Sequence, residues 1–490
     1  RRLHHGHRRA GARARGRRRP GARRRRPAAL LRRSDGVQGP HLDRIDAHAE
    51  ALGAFIAVTA EQALEQAAVA DRRLSEADPP PFCGVPTAFK DLTSTAGVRT
   101  TMGSVVLQDV VPPVDAYVVE LVQRAGFVSL GKTNTPEFGL SSYTDNDLVG
   151  PARTPWDLTR NAGGSSGGAA AAVAARLVPL AEGSDGGGSI RIPASCCGVV
   201  GFKPSRGRVS AGPVGSDWTG LAGDGSLART VRDAAAMLDA MAHPMPGDVR
   251  PLPDPDVPFS AWAAREPRRL RIARWSTPYL PGIETSASSI DAWEEASRVL
   301  ESLGHDVVDV DNPFPAELEP QFNVVWSSGM AAAPVPEEAI PHLRANTRYW
   351  LERGREATGV ELARAIQFLE ATTRDVLTSM DEYDAWLTPT LALPPQPSEW
   401  FTESGDPAED HHRELLFTPF TAVCNMAGVP AASLPLHWTE PTSDAPSLPV
   451  GVMLAGRPGE DGPLFSLLSQ VEEAAPWVNR APPSAGPTAS

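Results

Sequence analysis

Two glycine-flanked serine sites, and three lysines in a chain otherwise served by arginine, are the residues best suited to chemistry. Gly163-Gly164-Ser165-Ser166-Gly167-Gly168 and Asp185-Gly186-Gly187-Gly188-Ser189 bracket an alanine-rich segment within residues 160–208. Glycine loses more backbone entropy on folding than any other residue. In return it lets the chain turn sharply and bring bare N–H groups close to a ligand. A hydroxyl beside such N–H groups suits attack on a carbonyl, with the N–H groups holding the oxyanion. The only lysines are Lys90, Lys132 and Lys203, against 44 arginines. Arginine keeps its proton, whereas a buried lysine can lose it. Lysines retained in so arginine-rich a chain are candidates for work that needs an uncharged amine.

The bulk composition limits what this chemistry can serve. With 490 residues, 41% of them hydrophobic, the chain can bury one large α/β domain or two or three ordinary ones. Residues 1–33 carry fifteen arginines and no acid. Taking that charge from the net −12 leaves −27 for 34–490, an acidic body that argues against nucleic acid as a partner. The head, 1–33, reads as a disordered tail or a misassigned start. No run of 18 apolar residues predicts a membrane span. Cys83, Cys196, Cys197 and Cys424 form no CxxC pair, and the histidines show no ligand spacing. Both point to a reducing, cytoplasmic setting without a metal.

The elements that position the serines and Lys90 follow from periodicity and punctuation. Apolar residues at helical spacing predict two helices within 41–74, joined by an extended piece at 54–58. A strand at 81–92 delivers Lys90 to its end. Asp115 is placed to cap a helix at 116–124 that Gly126 ends, and a strand follows at 127–130. This strand–helix–strand rhythm predicts a mostly parallel sheet. A helix is expected at 168–176, then strands at 177–180, 190–192 and 198–202. Further helices are expected at 230–241 and 288–303, and strands at 270–273, 307–310, 383–390, 431–434 and 450–454. The segment near 320–380 reads as a helical insertion over the site.

Five motifs in order carry a resemblance: Lys90 in GVPTAFKDL, GKTNTPEFG at 131–139, GGSSGG at 163–168, GSDGGGSIRIPASCCGVVGFKPSRGR at 183–208, and LTPTLALPP at 387–395. Together they resemble the amidase signature family over about 40–475, with a subgroup likeness to hydrolases of the nylon-oligomer cyclic-dimer type. The resemblance implies an α/β amidase signature fold: a large mixed, mostly parallel sheet wrapped by helices on both faces, with 34–490 as one domain. It also implies a Ser–cis-Ser–Lys triad. Ser189 matches the nucleophile, Ser165 the bridging serine joined by a cis peptide, and Lys90 the base. Gly186, Gly187 and Gly188 match the oxyanion-hole positions, and Asp185, Arg191 and Ser166 supporting ones. No cofactor is implied. The partner is a small-molecule amide, with a homodimer left open. The sequence departs from the family pattern before Gly163, where Arg160-Asn161-Ala162 stand, and at Gly186, where Thr or Ile is usual. The arginine-rich head also replaces an expected helix.

Each signal has a plainer competitor. GGSSGG alone reads as a linker, or as the G-x-S-x-G nucleophile elbow of an α/β-hydrolase esterase using Ser165 and His437. The same motifs also fit an amidotransferase subunit that works only in a complex. Cys196 and Cys197 read as buried structural thiols, and Lys132 and Lys203 as loop anchors through carbonyls. Ser166 backs its loop through hydrogen bonds, and Asp185–Arg191 doubles as an ordinary salt bridge. Trp326, Tyr349, Trp350 and Trp400 line a pocket on one reading and fill the core on the other.

Overall fold

The computed structural model describes residues 35–215, 218–442 and 446–483, so the arginine-rich head lies outside the described residues. Eleven strands are present among them. They are β1 (Phe55–Val58), β2 (Pro86–Lys90), β3 (Val128–Thr133), β4 (Leu180–Asp185), β5 (Val200–Lys203), β6 (Gly223–Ala228), β7 (Arg271–Arg274), β8 (Asp306–Asp309), β9 (Ala385–Pro389), β10 (Ala431–Trp438) and β11 (Pro449–Gly456). The helices of the first half are α1 (Asp35–Leu52), α2 (Ala60–Arg73), α3 (Tyr117–Arg124), α4 (Gly167–Ala174), α5 (Arg191–Cys197), α6 (Val231–Met241) and α7 (Phe259–Trp262). Those of the second are α8 (Ala287–Ser302), α9 (Leu318–Ala331), α10 (Ala345–Glu356), α11 (Gly359–Ser379), α12 (Pro407–Phe417), α13 (Ala422–Ala427) and α14 (Asp461–Ala474). None of these helices is long and apolar enough to cross a membrane.

The large sheet runs β4-β6-β5-β10-β11-β9-β7-β8, and β1-β3-β2 form a smaller one. The sheet is mixed, but the expected mostly parallel balance is corrected. Only β7 pairs in parallel with β9 and β8, while the five pairings from β4 through β9 are antiparallel. The strand–helix–strand rhythm does hold locally: β2-α3-β3 and β7-α8-β8 each give a parallel pair, as a helical crossover requires. The two sheets meet where β2 lies beside β4. There Thr87 Oγ1 donates to the Leu180 carbonyl at 3.3 Å, and the Lys90 amide donates to the Glu182 carboxylate at 2.7 Å.

Alternate residues along the strands face opposite sides. Ala432, Leu434, Val452 and Leu454 pack in one apolar core with residues of α6, α8 and α14. Ala431, Met453 and Ala455 pack on the other face with residues of α11 and α13. Helices thus cover both faces, and α9, α10 and α11 occupy the expected insertion. Three helix starts follow local chemistry. The hydroxyls of Thr230, Ser286 and Thr358 each accept an N–H from the first turn, and Glu361 completes a capping box with Thr358.

Other expectations are corrected. Residues 190–192 open helix α5 instead of a strand, because Asp185 and Gly188 take their N–H groups into a tight turn. Pro193 is tolerated there since the first helical turn lacks N–H partners anyway. Residues 177–179 form the turn after α4, and the strand runs on through Leu180–Asp185. Asp115 accepts from the Ala96 amide rather than capping α3.

Candidate active site

Lys90 ends β2 and is fully buried. Its Nζ lies 2.7 Å from Ser165 Oγ, 3.0 Å from Ser184 Oγ and 3.3 Å from the Ser184 carbonyl. Burial pushes its pKa down to about 8, although Glu182, Asp185 and Asp224 pull the other way. Glu182 sits behind it, fully buried. Its carboxyl is raised by that burial despite accepting the Lys90 amide and, at 3.1 Å, the Thr93 hydroxyl.

The Gly163–Gly168 turn presents Ser165 to this amine. The Gly164–Ser165 peptide is cis, and Thr144 Oγ1 holds the loop through the Gly163 carbonyl at 2.8 Å. Ser166 backs the turn as expected: its hydroxyl donates to the Ser184 carbonyl at 3.2 Å, and its amide to the Ser189 carbonyl at 3.0 Å. That last bond fastens the two serine loops to each other.

The second loop is folded around Asp185. Its carboxylate accepts the amides of Gly188 (2.7 Å) and Ile190 (3.1 Å), and Arg191 grips it through Nε (2.9 Å) and Nη2 (2.8 Å). Burial alone would raise this carboxyl, but the Arg191 charge and hydrogen bonds, with Lys203 and Asn425, hold it well below the usual carboxylate range. Arg191 is itself fully buried and also donates to the Thr421 carbonyl (2.7 Å), Asn425 Oδ1 (2.6 Å) and Met453 Sδ (3.3 Å). Gly188 has φ +137°, and a Cβ there would lie 2.2 Å from Thr421 Oγ1, so glycine is required. Its amide is already committed to Asp185, which corrects the expectation that all three glycine amides face an oxyanion.

The structure thus brings Lys90, Ser165, Ser166, Asp185, Ser189 and Arg191 into one connected site, with Ser189 almost buried. The competing readings find other places. Ser165 is joined to Lys90, whereas His437 pairs with Glu295 at 2.8 Å. Cys196 and Cys197 are fully buried, and burial raises both thiols. Lys132 bonds the Thr93 carbonyl and Lys203 the Pro204 carbonyl, which makes them loop anchors. Of the aromatic residues, Trp350 is core, packed on His411. Trp326 instead reaches the Gly186 loop, accompanied by Phe322, which sequence reasoning missed. Glu182, Ser184, Thr421 and Asn425 were missed as well. Ser184 stands just before Asp185 and was open to notice. Asn425 lies 240 positions from Asp185 and carries no local signal.

The family model described as Amidase matches residues 40–465. A putative amidase of Synechocystis sp. is 37% identical over 438 residues, covering 88% of this chain and 84% of that protein. A 6-aminohexanoate-cyclic-dimer hydrolase of Pseudomonas sp. is 33% identical over 490 residues, covering 94% and 96%. A solved structure of 6-aminohexanoate cyclic dimer hydrolase complexed with substrate matches with a TM-score of 0.84 at 30% identity, over 94% of this chain and 97% of that one.

Proposed function

This chain belongs to the amidase family and is an amide hydrolase, and from that premise we propose that it cleaves the C–N bond through an acyl-enzyme on Ser189, with Ser165 as proton relay and Lys90 as base. The contact that supports this most is Lys90 Nζ to Ser165 Oγ at 2.7 Å, on a loop bonded directly to Ser189. A serine hydroxyl attacks poorly until a base takes its proton. With a pKa of about 8, about one Lys90 in five is neutral at pH 7.4, against roughly one free lysine in a thousand. With the amine neutral, the contact reverses and the Ser165 hydroxyl donates to the nitrogen lone pair.

In the first step Ser189 Oγ bonds the carbonyl carbon. Its proton passes to Ser165 Oγ, whose own proton passes to Lys90. The carbonyl π pair becomes the oxyanion, met by the amides of Gly186, Gly187 and Ser189. The tetrahedral adduct collapses, the C–N bond breaks, and the leaving amine takes the proton back along the same path. Water then repeats the sequence on the acyl-enzyme and releases the carboxylic acid. Linear and cyclic amides both fall within this class, the latter by likeness to the cyclic-dimer hydrolases. The four free, buried cysteines fit a cytoplasmic setting.

The test is a fluorophosphonate probe on the isolated chain, followed by peptide mapping. Label should appear on Ser189 and vanish in Ser189→Ala. Lys90→Arg should cut amide turnover by roughly a thousandfold or more. Label on Ser165, or full turnover in Lys90→Arg, would refute the assignment. Turnover by the single chain also separates this reading from a subunit that works only in a complex.

A further inference from the structure

The residues that cover the Gly186 loop carry a statement about substrate shape. Phe322 and Trp326 are one turn apart on α9, and their rings stack with centroids 5.4 Å apart and planes 19° from parallel. A Cβ placed on Gly186 would lie 3.0 Å from Trp326 Cζ3 and 3.2 Å from Cη2. One placed on Gly187 would lie 3.3 Å from Phe322 Cζ. The aromatic pair therefore rests on the bare backbone of the two glycines, in the space a side chain at 186 would fill. Neither ring is fully buried. A third aromatic residue, Phe138, belongs to the same apolar cluster as Trp326, and a Cβ on its neighbour Gly139 would sit 3.3 Å from Ser165 Oγ. Two polar side chains of α9 are engaged with each other: Asn323 donates to Glu319, and both lie beside His411, 3.4 and 3.5 Å away.

From this arrangement we infer that Gly186, Phe322 and Trp326 form a specificity-determining unit that selects amides bearing an uncharged aromatic group next to the scissile bond. The inference rests on the acyl-enzyme reading and deepens it. A flat ring entering beside the oxyanion loop extends the existing stack, and the apolar ring faces of Phe322 and Trp326 offer an ionised group no partner. The missing side chain at 186 is what lets the indole approach.

The experiment compares kcat/KM for phenylacetamide and hexanamide in the wild type, Trp326→Ala and Phe322→Leu. The wild type should favour phenylacetamide. Each variant should lower that preference roughly three- to tenfold, mostly through KM for the aromatic amide. Gly186→Thr should depress turnover of both amides by displacing the indole, and adding Trp326→Ala should restore part of it. An unchanged ratio in both aromatic variants, or a double variant no better than Gly186→Thr alone, overturns the inference while amide turnover upholds the acyl-enzyme reading. No turnover of any amide by the wild type would overturn both.

Discussion

An amine poised near pH 8 is a different reagent from one near 10.4, and the difference at Lys90 comes from its surroundings. Burial lowers its pKa, while the nearby carboxylates, Glu182 first, partly restore it. Protonated Lys90 cannot accept from Ser165, so activity should rise with pH. We predict that kcat/KM climbs through one ionisation with its midpoint near 8 and then levels. Removing the anion that favours the ammonium should move that limb toward lower pH. Glu182→Gln tests this in a pH–rate profile, and a limb that stays put or moves upward would contradict the assigned coupling. The serines and Lys90 were readable from the chain because their neighbours are unusual: glycines around the hydroxyls and a lysine among arginines. Glu182 was not, since a glutamate in a short strand looks like any solvated acid until β2 is laid against it.

At the level of elements, α13 serves as a brace for the nucleophile loop. Asn425 donates to the Asp185 carbonyl at 2.8 Å, its carboxylate at 2.9 Å and the Leu221 carbonyl at 2.9 Å, and it accepts from Arg191. Asn425→Leu removes all four bonds and leaves buried partners unpaired. The loop should lose its geometry more than its affinity. We predict kcat lower by roughly tenfold to a hundredfold, with KM within about threefold, in steady-state kinetics on one amide. A proportional rise in KM with kcat intact would show that the brace serves binding instead. Helices such as α6 and α8 were legible because their apolar residues recur at three and four and a hydroxyl caps each start. The reading failed where tertiary bonds overrule propensity. Ile190–Ile192 has the composition of a strand, yet the Asp185 carboxylate winds it into α5. The antiparallel majority of the large sheet was equally hidden, because it depends on which strands meet across long connections.

At the scale of the whole molecule, all three lysines are buried, and burial lowers each to about 8. Between pH 8 and 10.5 the unfolded chain therefore holds protons that the folded chain has released, so stability rises with pH in that window. The buried thiols of Cys196, Cys197 and Cys424 act with the opposite sign. Burial raises them above their ordinary 9.0, so from about pH 9 the unfolded chain releases protons that the folded chain keeps. The melting temperature should climb from pH 7.5 to about 9 and then flatten or fall. A steady decline across pH 7.5–9 in a calorimetric series would contradict the buried-lysine account.

The boundary between β2 and β4 has its own bearing on this chemistry. Lys90 rides on the smaller sheet, while Ser189 follows the last residue of an edge strand in the larger one, and the two sheets are riveted by side chains instead of a shared ladder. Alignment of the proton path is thus a matter of how two slabs register. A slip of an ångström along that fault would part amine from hydroxyl with every helix still in place, leaving an intact but silent enzyme.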